Sequence, residues 1–507
     1  MNERDRKQRL YVAEQGAKLR KGQISRREFL RRIGLAGFGI SMAGMMRWDM
    51  HRAMAARRHL PLRPGVYQLS GEQETWLKEV GGRFAGTTVR ISSESTAPSQ
   101  IISDLAAQEF TPLTGNNVIW EQTPLDQVLS KITQDTATES ASNDIYYLDQ
   151  AWVGRFVNDT IDPSVLLADT GSELNMPDFD FDDFVPELIP ALASYQGRLV
   201  GLPFDIPIFI YMYRKDIYDQ LGLKPATTME EFLANVRATD MSKNADGSDV
   251  RGYIGQWKSG HYALQCDWTA WLWSHGGSHT GRDGSVVIDD AQAVAGAEYM
   301  LELGKHVPAG VTTWDWGGQG DAMAQGLGAN VISWAEFFPG LDVPDRSQTV
   351  GLWETADLPQ EVALRAPEDC SFDEVPAIGH QGGSCIALSK YSRVQEAAWI
   401  FLQWATSKPT QIAAAESSNT PVRTSAFNAP NVLEKAKVVA GTTRHFPAAL
   451  KAIKERMGTE PHFPGWAAVS GTGGPIPNEL GKMTTGAQDI ATTLRNIKAA
   501  IQASIDE

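Results

Sequence analysis

The chain has 507 residues, 42% of them hydrophobic, and a formal net charge of -15. That length and apolar content can bury a core large enough for about two or three domains, which excludes a disordered or fibrous polymer. The acid excess argues against a general binder of phosphate backbones, which needs clustered Lys and Arg, so nucleic acid is not an expected partner.

The charge is unevenly placed. Residues 1–55 hold 13 Lys and Arg against 5 Asp and Glu, leaving 33 against 56 for the rest. In this basic leader Ser25-Arg26-Arg27-Glu28-Phe29-Leu30-Arg31 precedes Ile33 to Met46, a glycine-interrupted apolar run of 14 residues, too short to span a bilayer. A basic start, a short apolar stretch and the small-residue Ala53-Met54-Ala55 describe a secretory signal. Arg26 and Arg27, with Phe29 and Leu30 at their offsets, resemble the twin-arginine signal of bacteria, which implies delivery to the periplasm, already folded, by the twin-arginine export machinery. A basic amphipathic helix is the alternative. Asp49 and Arg52 beside the small residues leave the cleavage position open, with an uncleaved anchor as the other outcome.

Past the leader no segment approaches 18 consecutive apolar residues, so a soluble mature protein is expected. The three cysteines, Cys266, Cys370 and Cys385, lack the paired spacings of zinc or thioredoxin-like sites. Cys370 and Cys385 are either a pair or, as free cysteines usually are, small buried apolar groups.

In chain order, Thr88-Val89-Arg90-Ile91 reads as a strand running into the polar loop Ser92 to Ser99. Leu125, Val128, Leu129 and Ile132 share one helix face. Asp144 to Leu148 is a second strand, ending in Asp149-Gln150. Strand, helix, strand in this order points to a parallel sheet with covering helices, whose ligands bind at the carboxyl ends of the strands. The loops from Ser92 and from Asp149 are therefore the first places to seek a site. Next, Gln196-Gly197 forms a turn, Leu199 to Leu202 a strand, and Ile206 to Tyr213 an aromatic β-rich run that passes into a helix.

The segment from Tyr195 to Ala238, YQGRLVGLPFDIPIFIYMYRKDIYDQLGLKPATTMEEFLANVRA, resembles the family 1 extracellular solute-binding proteins, the carbohydrate-binding members of the periplasmic binding protein superfamily. A second segment is similar to the same family: Gly382 to Lys390, the helix Glu396 to Ala405, and Asn419-Thr420-Pro421-Val422-Arg423. Val394, Ala398, Phe401, Leu402 and Ala405 repeat at helical spacing, so that helix is mostly core. The resemblance covers roughly residues 86 to 505. Arg214 and Met229 depart from the family pattern, where Asn and Trp are usual; neither lies where a ligand would sit.

The resemblance implies an α/β fold of two lobes, each a mainly parallel sheet flanked by helices, joined by a hinge. Residues 86–205 and 380–420 would form the first lobe, 206–379 and 421–507 the second, after a signal region at 1–55. It further implies a monomeric periplasmic component of an ABC importer that closes over a sugar or polyol and hands it to an inner-membrane permease, with no cofactor and no catalysis. Presentation of the solute to a membrane sensor, or secreted glycoside hydrolysis by two carboxylates, are the alternatives.

Eight of the 15 Trp fall between Trp257 and Trp353. Sugar rings pack C–H faces on indole while their hydroxyls require polar partners, so Trp beside carboxylate is the expected texture of such a site. Asp267-Trp268, Trp314-Asp315-Trp316 and Trp334-Ala335-Glu336 supply it; Trp filling a large core is the plain alternative. Trp334, in a setting that resembles the family's cleft tryptophan, leads the candidates, with Glu336 and Trp314 beside it and Trp268 and Trp271 next. Strand ends add Glu94, Ser95, Asp149 and Asp205. Gly382 and Gly383 would let backbone approach a hydroxyl. Arg423 either donates a fork of hydrogen bonds to the ligand or pairs with an acid. His275 and His279 have helical spacing, but Gly276 and Gly277 lie between them and no HExxH pattern exists, so no metal site is expected. No G-x-S-x-G elbow is present.

Overall fold

A computed structural model describes residues 68–359, 379–437 and 443–506; the leader at 1–55 and Cys370 lie outside them. The first sheet begins with β1 (Thr88–Glu94), which buries Val89 and Ile91. It leads into α1 (Ala97–Leu105), where Thr96 accepts from the Ser99 amide at 3.2 Å and Pro98 occupies the first turn. Proline suits that turn because its missing N–H has no intrahelical partner to lose. β2 (Asn117–Thr123) pairs parallel with β1, and α2 (Leu125–Thr138) buries Val128 and Ile132 on the way to β3 (Ile145–Asp149), which lies parallel to β1 on its other side. All five β3 residues are buried, the signature of a strand covered on both faces.

A small hairpin follows, β4 (Ser194–Tyr195) and β5 (Arg198–Leu199), with positive φ at both Gln196 and Gly197, the twist that joins antiparallel strands tightly. β6 (Leu202–Asp205) forms an edge of the first sheet, and the chain crosses through Ile206–Ile208 into β7 (Phe209–Arg214) of the second. That sheet gains β8 (Ser242–Lys243) and β9 (Asp249–Tyr253). Then come α3 (Tyr262–Ser274), buried at all 13 residues, and α4 (Trp316–Ala324), followed by β10 (Gly328–Trp334) and β11 (Trp353–Ala356). The return runs through β12 (Gly379–His380) to β13 (Ser384–Leu388), which inserts between β3 and β6. α5 (Gln395–Thr406) packs on the first sheet, and β14 (Met457–Gly458) pairs with β12.

The strand orders are β2-β1-β3-β13-β6 and β11-β7-β10-β9-β8. Both sheets are mixed rather than mainly parallel. β13 enters from the other lobe and so runs against β3 and β6, and in the second sheet only β9 and β10 are parallel. The outward and return crossings lie side by side: Ile208 bridges Gln381, and the Gly382 amide donates to Pro207 O at 2.8 Å. Past residue 421 the chain keeps contacts with the first lobe. Thr424–Phe427 and Pro430–Ala436 pack on the helix Lys408–Glu416 of the first lobe, and the Val185 amide donates to Val422 O. Arg444, paired with Asp342, and the helix Phe446–Glu455 against β7 belong to the second lobe. Among the described residues no helix is long and apolar enough to cross a membrane.

Candidate functional site

Strand ends of both sheets meet at one cavity. β1, β3 and β6 finish in Glu94, Asp149 and Asp205, and β10 finishes in Trp334 with Glu336 two residues beyond. All five line the cavity, together with Tyr262 of α3 and Gly382 of the return crossing. Ala97, Leu125 and Trp316, the first residues of α1, α2 and α4, line it as well, so three helix amino ends face the same space. A water-sized sphere can enter about 90 Å³ of it; about 740 Å³ is reached when open solvent and the gaps between wall atoms are counted. The smaller figure is the room a ligand has with the walls as they stand.

Trp334 is fixed from behind. Its Nε1 donates to Gln256 Oε1 at 2.9 Å, and its ring meets Phe209 edge-on at 4.4 Å and His380 at 5.6 Å. A Cβ on Gly382 would stand 3.2 Å from the indole, a tight contact to which the ring would have to yield by a few tenths of an ångström. Below the floor, Glu460 accepts from Trp466 Nε1 at 2.7 Å and from the Tyr262 hydroxyl at 3.3 Å, and lies 2.7 Å from His380 Nε2. Ligand atoms of Cys266, His380 and Glu460 fall within 4.8 Å of one another, a grouping able to hold a metal ion, yet the carboxylate already has partners on both oxygens.

The four acids of the lining are held above the ordinary carboxylate range. Burial is the main cause throughout: Asp205 is pushed up to about 7, and Glu94, Asp149 and Glu336 well up. Mutual repulsion adds to burial for Glu94, which feels Asp205 and Asp149, and for Glu336, which feels Asp205. Glu94 and Glu336 are half-buried as whole residues, yet both carboxylate oxygens of Glu336 are shut off from solvent. Asp149 accepts from the Ala151 amide at 2.9 Å, and Asp205 from the Tyr147 hydroxyl at 3.3 Å. Oδ1 of Asp205 and both oxygens of Glu336 lack a well-formed hydrogen bond in the protein.

The cavity thus brings together Glu94, Asp149, Asp205, Trp334, Glu336 and Gly382 of the residues anticipated from sequence. Ser95 lies next to Glu94, its amide bonded to Thr123 O, and Gly383 packs behind the lining against Leu192. Trp268 and Trp271 sit inside α3, buried on all sides; Trp271 is surrounded by Phe232, Tyr253 and Tyr299. Trp314 stands outside while Trp316, two residues on, takes the wall position. Arg423 is buried away from the cavity, donating to Thr406 O, Asp180 O and Asp183 and lying 4.0 Å from the Phe184 ring center. His275 bonds Trp271 O through Nδ1, and His279 meets Gln265. Sequence reasoning missed Tyr262 and Cys266, although their i, i+4 spacing on one helix was a usable signal.

Residues 93–412 match the family described as bacterial extracellular solute-binding protein. An erythritol/L-threitol-binding protein of Mycolicibacterium smegmatis is 23% identical over 80% of this chain and 83% of its own length. A probable amino-acid ABC transporter periplasmic-binding protein of Sinorhizobium fredii is 22% identical over 70% of this chain and 76% of its own. Among solved structures, an ABC transporter solute-binding protein from Agrobacterium radiobacter in complex with ribitol superposes with a TM-score of 0.71 at 21% identity, covering 83% of this chain and 99% of that one. One from Agrobacterium vitis with bound D-mannitol gives 0.68 at 17% identity, covering 83% and 99%. At these identities the structural likeness establishes the two-lobed fold.

Proposed function

The chain belongs to the bacterial extracellular solute-binding proteins, which serve ABC importers by binding substrate, and from that membership we propose that it captures one sugar ring or a short polyol between its lobes and delivers it to an inner-membrane permease. The observation that carries this is a single cavity at the strand ends of both sheets, with an indole wall at Trp334 and acceptors at Glu94, Asp149, Asp205 and Glu336. Hydroxyls supply donors for those acceptors, and C–H faces lie against the indole. Room of about 90 Å³ is well below the roughly 300 Å³ from which drug-sized ligand pockets start. It favors a ligand of a few carbons, in keeping with relatives that bind erythritol, L-threitol and ribitol. The ligand acts by shifting an open-to-closed population, and the site of action is the periplasm, reached through the twin-arginine signal at 1–55.

Raised carboxyls would also suit the general acid of a glycosidase. One experiment separates the two. Purified protein is incubated with tetritols, pentitols, hexitols, monosaccharides and oligosaccharides, followed by thermal melting and product analysis. Binding predicts a melting shift from a small polyhydroxyl compound, about 2.7 kcal/mol at 100 times Kd, with every compound recovered intact. Cleaved oligosaccharide, or no shift across the panel, refutes it.

A further inference from the structure

The cavity carries acid without base. Glu94, Asp149, Asp205 and Glu336 line it, and no Lys, Arg or His is among the lining residues. The basic groups near Trp316 do not compensate: Lys258 donates to Asp315 at 2.8 Å, and His261, against the Trp316 ring, is pushed down to about 4 by burial and is neutral at pH 7. His380 is matched by Glu460. The amino ends of α1, α2 and α4 face the cavity, each worth about half a positive charge. Together they do not offset four acids, and Asp126 stands at one of those ends, so the helices leave the balance negative.

Asp205 is 1% exposed and lines the cavity, and its Oδ1, like both oxygens of Glu336, lacks a well-formed hydrogen bond, with the Thr96 and Thr420 hydroxyls only loosely engaged with the two acids. A neutral polyol fills such acceptors but does nothing to favor the ionized form, which burial and mutual repulsion disfavor. An ammonium group fills them with charge-assisted bonds, roughly twice as strong as neutral ones, and removes repulsion at the same time. Trp316 and Trp334 offer indole faces to a cation as well as to C–H groups. One ammonium has three donors, fewer than the acceptors of four carboxylates, so hydroxyls are still required.

Resting on the reading that the cleft takes a short polyhydroxyl compound, we propose that its ligand also carries a protonated amine: an amino polyol or amino sugar, held by Asp205 and Glu336.

The test is calorimetric titration of the full chain at pH 7 and low salt with matched pairs: 1-amino-1-deoxysorbitol against sorbitol, glucosamine against glucose, serinol against glycerol, and putrescine as an amine without hydroxyls. In at least one pair the amine is expected to bind about tenfold more tightly, the equivalent of one charge-assisted bond. Asp205→Asn and Glu336→Gln keep the shape but replace one acceptor oxygen with an NH2 donor, so each should weaken both members of a pair, the amine more, and bring the amine-to-neutral ratio toward one. Equal binding within the pairs, tighter binding of the neutral member, or a ratio unmoved in both variants overturns the amine and leaves the polyol reading standing. Putrescine bound with every polyhydroxyl compound ignored, or nothing bound at all, sinks the polyol reading and this inference with it.

Discussion

At the scale of single residues, the two wall tryptophans are not equivalent probes. Trp334 is packed on Phe209 and His380 and bonded to Gln256, so truncating it costs about 3–5 kcal/mol whether or not a ligand stacks there. Trp316, half-buried at the start of α4, is the cleaner test. Trp316→Ala should abolish the ligand-induced melting shift while lowering the ligand-free melting temperature by only a few degrees; a large loss without ligand would mark it as core. Asp205 gives a pH signature. Its carboxyl, raised from an ordinary value near 3.8 to about 7, favors the protonated form in the folded state. The resulting stabilization is fully present below about pH 4 and is lost as pH rises through 7. The ligand-free protein should therefore melt at lower temperature at pH 8 than at pH 5. Asp267, also pushed up to about 7 by burial, contributes in the same sense. Asp205→Asn should flatten part of this slope, and an unchanged slope would show that Asp205 does not titrate as its burial implies.

At the scale of elements, α3 shows where sequence reasoning works and where it stops. Its 13 residues are buried on every side, which makes it a core helix, with Tyr262 and Cys266 at the cavity and Trp268, Trp271 and Trp273 turned into the second lobe. Trp271→Ala should cost about 3–5 kcal/mol, read as a lowered urea midpoint, while surviving folded protein binds ligand with unchanged affinity. A selective loss of affinity would return Trp271 to the site. The texture of Trp beside carboxylate misled at Asp267-Trp268 because Asp267 accepts from Trp257 Nε1, Tyr253 and the Gln256 amide, all of them core groups. By contrast, strand ends were legible in part. Asp149 closes the strand expected there, whereas β1 runs past the expected end at Ile91 through Ser92 and Ser93 to Glu94, and the strand expected at Leu199 to Leu202 gives way to β6, which carries Pro203 and ends in Asp205. Arg423 was beyond reach: Asp183, which it bonds, is 240 residues earlier in the chain, and no local pattern joins such distant groups. The choice between Trp314 and Trp316 likewise turns on Asp315, whose side chain caps α4 and so puts Trp316, not Trp314, at its first position.

At the scale of the molecule, the cavity and the crossings together require motion. Its walls come from both sheets, so a ligand held there is enclosed only as the two sheets draw together. The crossings offer the means, since Ile206–Ile208 and Gln381–Gly383 are short segments outside both sheets, held side by side by the Ile208–Gln381 bridge and the Gly382–Pro207 bond, where a hinge would bend. Between the lobes, Gln150 Nε2 reaches the Tyr262 hydroxyl at a long 3.4 Å, while His462 packs closely on Gly154 and Trp466–Ser470 lies against Gln150–Trp152. Closing the lobes buries four acids whose ionized forms are disfavored by burial and by one another, so the ligand-free chain should rest open at a pH where they ionize. Small-angle scattering should accordingly show a radius of gyration that is larger without ligand and falls at 100 times Kd. In the double variant Asp205→Asn, Glu336→Gln, the ligand-free radius should already lie closer to the liganded value, because neutral amides remove part of the repulsion that holds the lobes apart. Profiles that coincide with and without ligand in the unaltered chain would mean that the lobes do not swing, and the importer mechanism would lose its physical basis.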